Sequence, residues 1–494
     1  MAGESGNNVF PCESNTTRSE GLGMKRSYDL VVLGAGPAGE SAAELAAFFG
    51  RSVVIVERNK PGGAVTTTGG VPTKTLREAT LAMTGFYDRD VYGITVAAPP
   101  QVAVEKIADR TRRVAELLQD VTAKNIAKNH VEYLQGVAKI SSNRTVLVTS
   151  STGEHHKLSA KIILVATGSR PFHPNNIPFE DPDVWDSDEF FSRGRRLPKS
   201  LLIVGGGPVG VEFATIFAGL GASTTISDSS GRLLRTMDAE MSELVTAHFK
   251  RIGVDVILEA ATKKIQRVNG KLEVTLTNGR SLNPDAVLFA AGRSVNTDGL
   301  GLAEAGVVLG DRGRIKVDHH YKTTADGIYA AGDVLGPSLA SVAMKQGRLA
   351  ACHAFGIKLK GTVDPMPTSA VYSMPEVAGV GLTEEQCRSQ GLEYEVGRAD
   401  LLLIPRGAIA GHGGILKLIF NKKDRRLLGV HCFGDIASEL VGIGQMVMHY
   451  HGKIAAFLEL TLNTPTYTYA YKYATVDGLR KLKQLHRRQR MKSL

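Results

Sequence analysis

The sequence predicts an α/β chain built on two dinucleotide-binding units, and three observations carry that prediction. Residues 28 to 57, YDLVVLGAGPAGESAAELAAFFGRSVVIVE, pass from an apolar run (Leu30 to Leu33) into Gly34-Ala-Gly36-Pro-Ala-Gly39, then an alanine-rich stretch at helical period, then a β-branched run ending in Glu57. Residues 201 to 228, LLIVGGGPVGVEFATIFAGLGASTTISD, repeat the pattern with Gly205, Gly207 and Gly210. In each copy an acid, Glu57 or Asp228, stands 23 residues after the first glycine. One such turn is weak evidence; two with matched acids point to nucleotide binding in Rossmann-like units.

The spacing has a physical reason. Gly34 and Gly205 permit the tight turn, and Gly36 and Gly207 let the backbone approach a pyrophosphate. Gly39 and Gly210 allow close helix–strand packing, while the helix N-terminus, where Pro37, Ala38 and Val209 lie, attracts phosphate charge. Glu57, followed by Arg58, and Asp228 would take ribose hydroxyls. Two dinucleotides on one chain suggest FAD beside NAD or NADP.

Three further stretches agree with this reading. LVATGSRP (164 to 171), with Thr167, Gly168 and Ser169, and LFAAGRSVN (288 to 296), with Gly292 and Arg293, each lead a strand into a small-residue turn suited to a crossing between nucleotide domains. GIYAAGDV (327 to 334) ends a strand in Gly332-Asp333, an acid that could accept a sugar hydroxyl, although in isolation such an Asp is more often a turn former. Ala138, Leu339, Ala340 and Ser341 complete the candidate cofactor contacts.

Composition limits the alternatives. At 494 residues the chain exceeds one core and should divide into several domains. Apolar content of 43% and charged content of 22% are those of a globular protein, and no apolar run reaches the ~18 residues of a spanning helix. Residues 1 to 23 are polar, lack the apolar centre of a signal peptide and are expected to form a disordered tail, with Met24 as an alternative start. Four cysteines, Cys12, Cys352, Cys387 and Cys432, show no CxxC spacing, which fits a reducing, cytoplasmic setting. Of the net charge of +10, seven units come from Arg480, Lys481, Lys483, Arg487, Arg488, Arg490 and Lys492 near the C-terminus. The body is therefore not strongly basic, and the tail reads as a solvated extension rather than a nucleic-acid arm.

With these motifs in place the chain resembles the pyridine nucleotide–disulfide oxidoreductase family, which includes glutathione reductase and dihydrolipoamide dehydrogenase, from about Tyr28 to Leu479. Within it, GSRPFHP (168 to 174), WDSDEFF (185 to 191), GPSLAS (336 to 341), YEVGRA (394 to 399) and GVHCFGD (429 to 435) are similar to the soluble transhydrogenase branch. The resemblance implies an FAD domain over 28–175, an NAD(P) domain over 176–297, a return to the FAD domain over 298–362 and an α+β dimerisation domain over 363–477. A disordered extension (1–27) and a basic tail (478–494) flank them. It also implies a homodimer. An amphipathic pattern between 101 and 129 (Val104, Ile107, Val114, Leu117, Leu118, Val121) predicts one long helix, and there is no internal repeat beyond the paired units.

The loop GGAVTTTGGVPTK (62 to 74) is where the chain departs from the family. Disulfide reductases carry two cysteines at the positions of Val65 and Gly70; here neither is a cysteine. Gly62 and Gly63 remain for close approach to the flavin, Thr66 to Thr68, including Thr67, offer hydroxyls, and Lys74 is implied to sit by the flavin ring paired with Glu212. These two are the catalytic candidates. In LNTPTYTYAYKYA (462 to 474), Thr464 and Tyr469 stand where the family has its histidine–glutamate pair, and the transhydrogenase branch itself generally keeps the first cysteine and the final glutamate. Thiol–disulfide exchange needs a thiolate and a proton shuttle, so disulfide reduction is not expected.

The expected activity is hydride transfer between NADPH and NAD⁺ through FAD, with NAD(P)H:quinone reduction as the alternative and a non-catalytic nucleotide-responsive binding protein as a third. Asp228 should repel a 2′-phosphate, with Ser229, Ser230 and Arg232 as compensating contacts. No metal ligand is assigned: the pairs His155/His156, His319/His320 and His449/His451 lack the spacing and neighbouring acids of a site, and His431 and Cys432 should face opposite sides of a strand. The tyrosines at 467, 469, 471 and 473 suggest a subunit-interface stripe.

Overall fold

The computed structural model describes residues 26–87, 89–93, 100–141, 144–190, 196–358, 363 and 365–492, so the expectation for residues 1 to 23 lies outside the described residues. The first nucleotide unit is a seven-stranded sheet. Its centre is Ser27–Leu33, flanked in parallel by Val53–Glu57 and by the long strand His155–Val165, which also pairs in parallel with Ile328–Ala330. The central strands are apolar on both faces because both are covered, one by helices Pro37–Phe48 and Ala340–Phe355 and the other by strands Val137–Ile140 and Thr145–Thr149 with the segment from Leu300 to Val334; Val31, Val32, Ile55, Ile163 and Ala330 are fully buried. Helices Pro37–Phe48 and Ala340–Phe355 pack together so closely that a Cβ on Gly347 would lie 2.1 Å from the Ala38 carbonyl oxygen.

The second unit is a five-stranded parallel sheet in the order Asp255–Ile257, Ser223–Ser227, Ser200–Val204, Ala286–Phe289, Val184–Asp186. A two-stranded ribbon, Ser169–Pro171 against Arg293–Val295, forms the crossing between the units. The C-terminal domain is a five-stranded antiparallel sheet covered by helices Ala437–His449 and Ala470–Lys492.

A buried ion network joins this domain to the second unit. Lys417, only 1% exposed, reaches Asp238 at 2.7 Å, Glu240 at 2.8 Å and Glu384 at 2.6 Å. Arg398 donates to both oxygens of Glu240 at 2.8 Å. Asp238 also caps helix Ala239–Arg251 by accepting from the Glu240 N–H. The cap of a nucleotide-domain helix is thereby tied to the neighbouring sheet.

Three expectations need correction. The long helix spans Pro100–Lys128, but its inward face is Ile107, Thr111, Ala115, Thr122 and Ile126, while Leu117 and Val121 are 61% and 43% exposed. Its first half packs towards helix Val71–Thr84, with Ile107 in the cluster that holds Leu76, and its second half towards helix Pro37–Phe48, with Ile126 beside Ala42, Ala43 and Ala46; the side chain of Val104 lies outside the described residues. The basic C-terminal stretch is not a detached extension at its start. Helix Ala470–Lys492 runs through it with Tyr471, Ala474 and Leu482 buried at helical spacing, and a Cβ on Gly478 would meet the Phe420 ring at 2.5 Å. Nor do the tyrosines form one stripe. Tyr467 and Tyr471 are buried, Tyr471 donating to the Leu440 carbonyl at 2.7 Å, whereas Tyr469 and Tyr473 sit together on the outer side with ring centres 5.8 Å apart.

Candidate functional site

Both glycine turns fold alike. Gly34 has φ 109° and Gly205 φ 114°, and a Cβ at either would lie 2.4 or 2.6 Å from the carbonyl oxygen of Ala166 or Ala290, so each site demands glycine on two counts. Helices Pro37–Phe48 and Pro208–Gly219 start without a side-chain cap, leaving their first N–H groups directed at the space beyond the turn. Glu57 accepts from the Ala35 N–H and the Asn59 N–H, both at 2.8 Å. Asp228 repeats this with the Gly206 N–H at 2.5 Å and the Ser230 N–H at 2.6 Å. Each acid thus braces its own glycine turn.

The first turn opens into a cleft of about 260 Å³ that gathers Gly36, Pro37, Ala38, Glu57, Arg58, Gly63, Thr67, Thr167, Gly168, Ser169, Gly332, Asp333 and Ala340. It adjoins one of about 360 Å³ lined by Gly34, Glu57, Arg58, Ala138 and Thr167. Five of the flavin candidates lie outside both linings. Gly39 packs under the turn, where a Cβ would meet the Gly34 oxygen at 2.0 Å, and the Gly62 N–H bonds the Ala35 carbonyl. Leu339 and Ser341 bracket the start of helix Ala340–Phe355, and Lys74 faces the second unit. Asn59, Arg170, Asn296 and Asp298 also line the clefts; Arg170 and Asn296 lie within the two crossing motifs without being singled out there, and no motif contains Asn59 or Asp298.

The cradle fits a dinucleotide. A Cβ added to Gly36 would meet nothing nearer than the Gly63 Cα at 3.8 Å, and one on Gly168 would meet nothing within 4 Å, so both glycines hold open room at the cleft. The Thr68 hydroxyl is buried there without a partner. The other two loop hydroxyls are not available as expected: Thr66 and Thr67 donate to the Gly63 carbonyl of their own short helix, Gly63–Thr67. Asp333 accepts from Ser169 Oγ at 2.7 Å and from the Ser338 N–H at 3.0 Å, and Arg293 braces the same serine at 2.8 Å while pairing with Asp188.

Where the units meet, Lys74 Nζ lies 3.0 and 2.9 Å from the two carboxylate oxygens of Glu212. Helix Val71–Thr84 supplies the lysine and helix Pro208–Gly219 the glutamate. Glu212 is 6% exposed on its side chain and Lys74 31%, a half-buried pair at the junction. Val65 and Gly70 are neighbours in space: a Cβ on Gly70 would lie 2.6 Å from the Val65 Cα. Thr464 is exposed.

In the second unit Val209 and Gly210 belong to the helix start, a Cβ on Gly210 would meet the Gly205 oxygen at 1.8 Å, and Gly207 and Gly292 have open space. Arg232, expected to meet a phosphate, is turned elsewhere: it donates to Glu385 at 2.6 Å and to the carbonyls of Arg235 and Met237. Arg235 is the cation that the sequence pattern does not single out. The Leu234 N–H bonds the Gly206 carbonyl at 2.8 Å, which folds this loop back onto the glycine turn and leaves Arg235 exposed beside it.

His431 and Cys432 are both buried in the C-terminal sheet. His431 donates to the Leu382 carbonyl, and burial pushes the Cys432 thiol up. Among the described residues no group of three His, Cys, Asp or Glu could hold a metal ion, and no helix is long and apolar enough to cross a membrane. A cavity of about 950 Å³ lined by Phe86, His248, His412 and Asp435 contains none of the candidate residues.

Two nucleotide turns on either side of a half-buried Lys–Glu pair, with an antiparallel C-terminal domain attached, define a two-nucleotide flavoprotein oxidoreductase. The family profile of pyridine nucleotide-disulphide oxidoreductases matches residues 28–347, and that of its dimerisation domain matches 367–475. The chain belongs to the pyridine nucleotide–disulphide oxidoreductase family and is an FAD-dependent oxidoreductase, its dimerisation domain fitting a homodimer. It is 37% identical to the soluble pyridine nucleotide transhydrogenase of Mycobacterium tuberculosis over 93% of this chain and 99% of that one. It is 36% identical to the enzyme of that name from Marinomonas sp. over 92% and 99%. Among solved structures it is similar to LpdA from Mycobacterium tuberculosis, with TM-score 0.83, 26% identity and coverage of 90% and 98%. The HOCl-induced flavoprotein disulfide reductase RclA from Escherichia coli is similar with TM-score 0.81, 26% identity and coverage of 91% and 99%.

Proposed function

We propose that the chain transfers hydride between NADPH and NAD⁺, with FAD held at the Gly34 turn and the nicotinamide nucleotides at the Gly205 turn, and with no dithiol relay. One observation carries this reading: the loop from Gly62 to Lys74 keeps its backbone approach to the cleft while its Val65–Gly70 contact leaves no space for a side chain at 70. FAD, when bound, supplies the two-electron acceptor and donor for the exchange. The chain's residues bind and orient. The two uncapped helix starts take pyrophosphates, Glu57 and Asp228 take ribose hydroxyls, Asp333 takes a sugar hydroxyl, and Lys74–Glu212 fixes charge at the junction. Asp228 favours NAD(H), and Arg235 offers the charge-assisted contact that makes NADP(H) tolerable.

The test is anaerobic reduction of the holoenzyme with NADPH followed by thio-NAD⁺. Appearance of reduced thio-NAD supports the proposal. If NADPH cannot reduce the flavin, the transhydrogenase reading fails; if the flavin is reduced but only an added quinone reoxidises it, quinone reduction replaces that reading.

A further inference from the structure

The Lys74–Glu212 pair has a third partner, which comes from neither nucleotide unit. Tyr372 follows strand Ser369–Val371 of the dimerisation domain. Its backbone N–H donates to Glu212 Oε1 at 3.0 Å, and Lys74 Nζ stands 4.9 Å from the centre of its ring. A lysine ammonium is a compact charge on a flexible stem and does not hold one position without directing contacts. The loop preceding Lys74 offers almost none: Gly69 and Gly70 have no side chain, and only the Thr73 hydroxyl, at 3.2 Å, accepts from Nζ. Glu212 directs the ammonium from one side and the aromatic face adds a second contact, since a cation within about 6 Å of a ring centre is attracted by the ring quadrupole. On the other partner, Glu212 is nearly buried, and a buried carboxylate needs its remaining lone pairs satisfied; the Tyr372 N–H does that. Burial, followed by the nearby carboxylates of Glu376 and Glu212, pushes the phenol up, so the ring remains neutral at physiological pH.

We propose that Tyr372 is a positioning residue for the reaction: its ring fixes the Lys74 ammonium and its N–H fixes Glu212, so that the dimerisation domain sets the charge at the flavin edge. This rests on the reading that the pair borders the flavin, and the experiment separates the two. The holoenzyme is prepared as parent, Y372F, Y372L and K74M, and the midpoint potential of bound FAD and the rate constant of its reduction by NADH are measured. A positive charge at the flavin edge raises the potential. K74M therefore lowers it, Y372L lowers it less and slows reduction about two- to fivefold, and Y372F, which keeps the ring, matches the parent. Should leucine disturb FAD content, Y372M is the second probe. If K74M lowers the potential while Y372L and Y372M do not, the role assigned to Tyr372 is wrong. If K74M leaves the potential unchanged, the pair does not border the flavin and both statements fall.

Discussion

Gly70 lies against Val65 so tightly that a Cβ at residue 70 would meet the Val65 carbonyl oxygen at 2.4 Å and its Cα at 2.6 Å. Because φ at Gly70 is −91°, the constraint is contact rather than backbone conformation. G70A should therefore force the short helix Gly63–Thr67 away from helix Val71–Thr84, costing about 1–3 kcal/mol as overpacking does. Thermal unfolding of the holoenzyme, with FAD release followed by fluorescence, checks this. A wild-type melting temperature in G70A would show that the loop yields easily.

Removing one member of the Lys74–Glu212 pair should be asymmetric. K74M strands a carboxylate that is 6% exposed, whereas E212Q leaves a lysine that is 31% exposed and can turn to water. Breaking a fully buried ion pair costs about 3–5 kcal/mol, and solvent access on the lysine side reduces this to about 2–3 kcal/mol for K74M and about 1 kcal/mol for E212Q. Denaturant titration of both variants gives the order; equal losses would contradict it.

Nucleotide choice should respond to Arg235 and not to Arg232. R235A removes the exposed cation beside the Gly206 turn and should weaken 2′,5′-ADP about tenfold while leaving ADP unchanged, the loss of one charge-assisted contact. R232A, whose guanidinium is already held by Glu385 and two carbonyls, should change the two ligands equally. Calorimetric titration of FAD-saturated protein distinguishes these outcomes.

Acid should loosen the joint between the nucleotide unit and the dimerisation domain. Burial favours the neutral form of Glu240, but hydrogen bonds from Arg398 and Lys417 outweigh it and hold the carboxyl at about 2, and Glu385 sits at about 2 in the same way through Arg232. A carboxyl depressed on folding contributes stability above its unfolded value near 4.5, and that contribution is lost as pH falls towards 2. His248 acts in a higher window. Burial, then Arg251, lowers it from 6.5 to about 4, so the folded state resists its protonation and stability declines as pH falls from 6.5 towards 4. Melting temperatures followed from neutral to acid pH should fall in two stages, the first absent in H248N.

The fold class is legible in the sequence because its signal is local. Gly34 with Glu57 and Gly205 with Asp228 declare strand, turn and helix within 30 residues each, and the steric need for glycine there leaves no substitute. The junction is legible in part. Lys74 and Glu212 stand beside glycine loops in the sequence, but Tyr372 and Arg235 reach the site only through the docking of a separate domain and the fold-back of Leu234 onto Gly206. Thr66 and Thr67 depart from expectation because a hydroxyl three or four residues after a carbonyl bonds its own helix first. The C-terminal helix departs from it because its charge masks Tyr471, Ala474 and Leu482, the buried positions that dock it.

The Gly205 turn has a further consequence for the order of events. The proposed reaction seats donor and acceptor nucleotides alike at the uncapped start of helix Pro208–Gly219, the helix whose Glu212 pairs with Lys74. Under the proposed reaction they must occupy it in turn. Steady-state double-reciprocal plots are then parallel, an excess of either nucleotide inhibits by holding the seat against the other, and the oxidised and reduced enzyme forms, rather than any ternary complex, carry the electrons between the two pools.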